Sequence, residues 1–360
     1  MRAPTLRNKQ FIIEELPDPI PSEGQILVKT RACGICGTDL HARLYGQKLR
    51  ESAARTNGFG ANFCDGVVLG HEFCAEVVDH GPRTSKRLKP GTLVCSLPRL
   101  VEDNRRFGIG WSLKGTGGYG EYMKLTEGFS FPVPNGLSAD HAALTEPMAI
   151  GYHAVKKARL GKRDVPLVIG CGPVGLAVIA SLKLMEARPI VAADFSPRRR
   201  KFAESLGADV IVNPAETSPY ERWADVAAID PPDETPNPQT WFQPPTHNPA
   251  VVFECVGVPG ILNQVISTVP RDTRVVVVGY CMETDHLDPI FALDKELNLQ
   301  YVMGYNPNEF NATLHHIADG RIPVEELITT KVGLGGIAQA FEDLASPERH
   351  GKIIIEPSIS

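Results

Sequence analysis

Residues 165 to 196, VPLVIGCGPVGLAVIASLKLMEARPIVAADFS, constrain this chain more than any other stretch. A buried-strand run leads into Gly170, Gly172 and Gly175, spaced G-x-G-x-x-G, followed by an apolar helix and a second strand that ends on Asp194. Glycine patterns of that length arise by chance. A strand before, a helix after and an acid at the next strand's end make this one a dinucleotide-binding turn. Gly170 allows the tight turn, Gly172 lets pyrophosphate approach the backbone, and Gly175 lets helix and strand pack closely. Pro173 and Val174 open the helix, whose N-terminus offers N–H groups and a positive dipole end to phosphates. Asp194 would accept hydrogen bonds from the adenosine ribose and repel a 2′-phosphate, which favours NAD. Arg199, in the run Arg198 to Arg200, lies close enough to weaken that preference and leave NADP possible.

The texture on either side of this unit differs. After it come RRRKFAESLGAD (helix), VIVN (strand), AVVFECVG (strand), GILNQVISTV (helix) and RVVVVGY (strand), an alternation that means a parallel, doubly wound sheet. The first 130 residues instead hold short apolar runs bounded by Gly and Pro, such as QILVKTRACG and FCAEVVDHG, a barrel-like antiparallel texture. At 360 residues the α/β chain is long enough for two domains: 151–294 for the dinucleotide, and 1–150 with 295–360 for the rest. Two stretches stand apart. Residues 227–250 hold seven prolines and read as an irregular excursion. Residues 43–68 read as a long polar loop.

Several function classes are excluded. Net charge is −5 with dispersed basic residues, so neither nucleic acid nor an anionic membrane is an expected partner. No apolar run approaches the ~18 to 20 residues of a membrane span, and MRAPTLRNKQFIIEELP lacks the apolar core of a signal peptide. Eight cysteines scattered through a chain of this size fit reduced thiols and a cytoplasmic location.

Cys33 and Cys36, in RACGICGTDLHA, have C-x-x-C spacing. A structural zinc site would want a second such pair, which the chain lacks, and a redox pair would want a thioredoxin-like βαβ setting. Downstream lie His71 in GHEF and Glu146 in TEP. Cys36, His71 and Glu146 together form a mixed S/N/O set of three with a fourth position open, as a catalytic zinc requires.

With these motifs in hand, the chain resembles the zinc-dependent medium-chain alcohol dehydrogenases, with the texture of the sorbitol and 2,3-butanediol dehydrogenase branch. The resemblance spans nearly the whole chain through GICGTDLH, GHEF, GTGGYGEYM, LTEPMAIGYHAV, VIGCGPVGL, FECVG and HGKIIIEP, in the family's order. It implies an N-terminal GroES-like β-barrel catalytic domain beside a Rossmann domain. It also implies Cys36 and His71 as the first two zinc ligands and Glu146 at the third. Glu72 becomes either a ligand or a carboxylate that switches onto the metal, Asp39 the acid orienting His71, and Thr38 with His41 the relay for the alcohol proton. Zinc would lower the pKa of the substrate hydroxyl and hydride would pass to NAD. The substrate is then a small secondary alcohol or polyol, or its ketone. Phe59, Phe63, Trp111 and Tyr119 are candidates, by location, to line the pocket. The alternative within the superfamily is a zinc-free reductase of enones or quinones, which lacks the donor set kept here.

Departures from the family pattern carry their own expectations. The stretch that holds four cysteines and a second zinc in other members, here SLPRLVEDNRRFGIGWSLKGTGGYGEY, has no cysteine, so one catalytic zinc and no structural zinc is expected. Family members are homodimers or homotetramers joined through an edge strand of the nucleotide domain, and RVVVVGY (274–280) is apolar enough to be that edge.

Overall fold

Strand Gln25–Gly34, ten residues long, organises the first half of the protein. Ile26, Val28, Thr30 and Ala32 are buried at alternate positions, the period-two pattern of a strand with one face on a core. It pairs antiparallel with Glu72–His80, with Tyr122–Thr126 and, at its far end, with Lys352–Ile355. The resulting seven-stranded sheet runs Ser130–Pro132, Leu93–Ser96, Glu72–His80, Gln25–Gly34, Lys352–Ile355, Ile328–Val332, with Tyr122–Thr126 attached to Gln25–Gly34. Two register shifts between Gln25–Gly34 and Glu72–His80 mark irregular pairing, and such bulges bend and twist a strand. A computed structural model describes residues 1–56, 58, 60–229, 245–346 and 348–359. It divides into two units, Met1–Ala149 with Tyr305–Ser360, and Ile150–Gly304.

The second unit is a six-stranded parallel sheet ordered Val210–Val212, Val191–Ala193, Val165–Ile169, Ala250–Glu254, Arg274–Val277, Asn298–Tyr301. In chain order that is 3-2-1-4-5-6, the doubly wound arrangement of dinucleotide folds. Val165, Leu167, Val191, Val252, Val265 and Val275 pack in one core cluster.

Three expectations need revision or restriction. Residues 43–68 are largely helical, because the helix begun at Gly37 continues to Thr56 with a kink at Tyr45. Its sequence there, RLYGQKLRESAART, is rich in Arg, Lys, Leu, Ala and Glu, all strong helix formers. Gly46 sits under the Phe63 ring, where a Cβ would lie 2.4 Å from the ring. Arg274–Val277 is an inner strand, and the edge is Asn298–Tyr301, so residues 295–304 lie with the second unit. Inner parallel strands are buried on both faces and read as apolar runs; the polar NLQY of the edge gave no such sign. Of the proline-rich stretch, residues 230–244 lie outside the described residues, as does Phe59. No described helix is long and apolar enough to cross a membrane.

In the cysteine-free stretch, strands Arg99–Glu102 and Arg105–Gly108 form a hairpin turned by Asp103 and Asn104, both at positive φ, as a two-residue hairpin turn demands. Glu102 accepts from Lys114 and Lys124, both at 2.8 Å. Burial alone would raise its pKa, but these two partners outweigh burial and bring it down to about 2. A depressed carboxylate contributes stability above its unfolded pKa and loses it as pH falls toward the folded one. Glu102→Gln therefore lowers the melting temperature at pH 7, and the gap from the native chain closes as pH drops from about 4.5 to about 2. Thermal scans across that range check it.

Candidate active site

The end of strand Gln25–Gly34 delivers Cys36 to the start of helix Gly37–Thr56, and Asp39, in the first helical turn, ties the turn together. Asp39 Oδ2 accepts from the Cys36 backbone N–H at 3.1 Å and from the Tyr119 hydroxyl at 2.8 Å. Its Oδ1 lies 3.2 Å from His71 Nδ1. A carboxylate on Nδ1 fixes the tautomer that leaves Nε2 for a metal. Thr38 Oγ1 donates to Cys36 Sγ at 3.1 Å and lies 3.3 Å from His71 Nε2. Cys36, Thr38, Asp39 and His71 thus meet at one point. His41 is half-buried one turn on, and burial lowers its pKa.

Glu146 lies in the first turn of helix Thr145–Ala158, buried, and accepts from the Tyr305 hydroxyl at 2.9 Å. Burial pushes its carboxyl up to about 7, against the pull of His71. Burial and Glu72 push the Cys36 thiol up. Burial works against charge on His71, but Asp39 and Cys36 outweigh it and hold the imidazole well above its ordinary range. Glu72 is held by Lys352, whose Nζ donates to both carboxylate oxygens and to Ile35 O at 3.0 Å.

Among the described residues, no three His, Cys, Asp or Glu side chains stand together so as to hold a metal ion; Cys36 and His71 flank the Thr38 hydroxyl, and the charge of His71 acts on Glu146. The donor chemistry nevertheless suits zinc. Asp39, Glu72 and Glu146 are all buried, Asp39 against the Cys36 amide and His71 and Glu72 against the buried Lys352 ammonium. A thiol, an imidazole and a carboxylate are the S/N/O donors that zinc takes.

In the second unit the glycine turn has the expected form. A Cβ on Gly175 would lie 1.8 Å from Gly170 O, so only glycine lets helix Pro173–Leu184 start so close to its strand. Pro173 occupies the first helical position after Gly172, and Val174 follows. Asp194 Oδ2 accepts from Cys171 N and its Oδ1 from Ser196 N, both at 2.8 Å. The Arg199 guanidinium is 3.8 Å from Asp194 and lies over Gly172, where it can meet the phosphate or ribose of a dinucleotide.

The pocket candidates separate. Tyr119 is fully buried and serves Asp39. Trp111 Nε1 lies 3.3 Å from His71 Nδ1, and the indole ring packs against Phe63. Sequence reasoning missed Lys352 and Tyr305. A lone lysine opening the apolar run KIII was a usable sign of the first; nothing local marked the second.

Residues 22–135 match the family described as alcohol dehydrogenase GroES-like domain, and residues 173–319 the zinc-binding dehydrogenases. The chain is 31% identical to (R,R)-butanediol dehydrogenase of Bacillus subtilis (strain 168), over 99% of this chain and 100% of that protein. It is 26% identical to sorbitol dehydrogenase of the same organism, over 95% and 93%. A crystal structure of 2R,3R-butanediol dehydrogenase from Bacillus subtilis matches at 28% identity and TM-score 0.80, covering 99% of both chains. The chain belongs to the zinc-dependent medium-chain alcohol dehydrogenases, in the sorbitol and butanediol dehydrogenase branch. It is an oxidoreductase acting on CH–OH groups, with a GroES-like domain, a Rossmann-like domain, zinc and a nicotinamide dinucleotide.

Because Tyr119 holds the carboxylate that orients His71, Tyr119→Phe is expected to weaken zinc binding about tenfold, as loss of a partner behind a ligand does. Chelator competition measures it, with circular dichroism to show that the fold persists.

Proposed function

We propose that this enzyme oxidises a secondary alcohol, a vicinal diol or a polyol to the ketone with NAD, at a site where Cys36, His71 and Glu146 hold a single catalytic zinc. The observation that carries the reading is the cluster of buried carboxylates around the Cys36–His71 pair, in a chain whose similar proteins are named for butanediol and sorbitol. When bound, zinc supplies Lewis acidity to the substrate hydroxyl and NAD accepts the hydride.

The chain's own residues do the rest. Asp39, fixed by Tyr119 and the Cys36 amide, keeps His71 in the tautomer that offers Nε2. The Thr38 hydroxyl, between Cys36 Sγ and His71 Nε2, would accept the substrate proton as it releases its own into the relay. His41, one turn along the helix, passes that proton outward, and its lowered pKa keeps the imidazole neutral and able to accept it. Asp194 selects NAD by repelling a 2′-phosphate, with Arg199 on the adenosine side. A single zinc is supported by the absence of cysteine from residues 96–122, where Glu102 braces the hairpin with two lysines. Eight free thiols support a reducing, cytoplasmic setting.

Metal content with NAD and NADP reduction over butane-2,3-diol stereoisomers, sorbitol and simple secondary alcohols, before and after chelation, tests the reading. About one zinc per chain, chelator-sensitive turnover and higher kcat/KM with NAD are expected. Unchanged activity in metal-free protein would overturn the ligand set.

The reading extends to a homo-oligomer. Edge strand Asn298–Tyr301 pairs on one side with Arg274–Val277. Next to it in the chain Leu293 is 73% exposed, Met303 69% and Tyr301 61%. An open strand edge with apolar side chains pairs readily with another, and a second copy offers the same surface in a closed two-fold arrangement. Light scattering is expected to give a dimer or tetramer, and Tyr301→Asp with Met303→Asp a smaller species.

A further inference from the structure

Two buried thiols that the chemistry above does not use face each other across the sheet of the first unit. Strands Glu72–His80 and Leu93–Ser96 pair antiparallel with Cys74 opposite Cys95. Among the described strand pairs no other two cysteines stand opposite each other. Both are fully buried and both are free thiols. Across the same sheet Ala32 pairs with Cys74 and Phe131 with Cys95, so the pair lies inside the sheet and away from its edges.

Opposed residues of an antiparallel pair have Cα atoms about 4.5 to 5.5 Å apart, with side chains on one face. A disulfide spans Cα separations of about 4.4 to 6.8 Å, so strand register alone brings this pair within bridging reach. The thiols also touch. Cys95 Sγ donates to Ala142 O at 3.2 Å, in helix Ala139–Ala143, which leaves its sulfur to accept from the Cys74 thiol. That bond and burial hold Cys74 well above the usual thiol pKa, so both sulfurs rest as unreactive thiols.

We propose that Cys74 and Cys95 are a modification site, at which a peroxide closes a cross-strand disulfide. One sulfur attacks the peroxide: an S–O bond forms, the O–O bond breaks, and water leaves with the thiol proton. The second sulfur then attacks the resulting sulfenic acid. The S–S bond forms, the S–O bond breaks, and a second water carries off the hydroxyl with the other thiol proton. The two thiols lose two electrons and one peroxide becomes two waters. The bridge would tie the strand that begins directly after His71 to its neighbour. It stands independently of which alcohol the enzyme takes. In a reducing compartment such bonds are transient and redox-sensing.

The test treats the folded, metal-loaded chain with hydrogen peroxide, alkylates it in denaturant without reductant and maps its tryptic peptides by mass spectrometry. Cys64 falls in the same tryptic peptide as Cys74, so Cys64→Ser is treated in parallel. Both chains are expected to show that peptide linked to the one holding Cys95. Dithiothreitol removes the link, and Cys95→Ala never forms it. The proposal is overturned if the native chain, folded by circular dichroism, shows no such link, or if the link is lost in Cys64→Ser. A link that appears only after the chain has unfolded overturns it as well. Should Cys95→Ala fail to fold, the native and Cys64→Ser maps still decide.

Discussion

Burying several negative groups beside one imidazole is the constraint that the first unit is built around. Asp39, Glu72 and Glu146 lie near His71, and carboxylates out of water are unfavourable unless each finds a partner. The partners are distributed with little redundancy. Asp39 takes Tyr119 and the Cys36 amide, Glu146 takes Tyr305, and Glu72 takes Lys352. They come from positions spread from Cys36 to the C-terminal strand. The sheet that aligns Gln25–Gly34 with Glu72–His80 and Lys352–Ile355 is thus a condition of the charge arrangement as much as of the core.

The second unit meets a different demand. It keeps a stretch of backbone bare of side chains. Gly170 and Gly175 approach to where no side chain fits, and Asp194 is pinned at the end of its strand by two backbone N–H groups. A carboxylate so anchored has little freedom left to lose. The buried polar groups of the first unit are held by side-chain partners far apart in sequence; Asp194 in the second is held by a nearby turn.

That contrast explains how much was legible beforehand. The glycine turn, Asp194 and the alternating strands and helices are local patterns, and the parallel sheet follows them closely. Cys36, Thr38, Asp39 and His71 could be singled out because each lies in a short recognisable motif, and the structure draws them together. The 43–56 stretch went astray because one glycine and many polar residues look like a loop, while the same residues have good helix propensity. The edge strand went astray because hydropathy reports burial, and the edge is the least buried strand of its sheet.

The sequence by itself determined the kinds of donor available, the dinucleotide turn and the order of strands, since these depend on neighbours in the chain. Only the tertiary structure decided which groups pair with which: Lys352 with Glu72, Tyr305 with Glu146, Tyr119 with Asp39. Those pairs join residues 80 to 280 positions apart, and their selection is made by strand register and shared burial, neither of which any local stretch encodes.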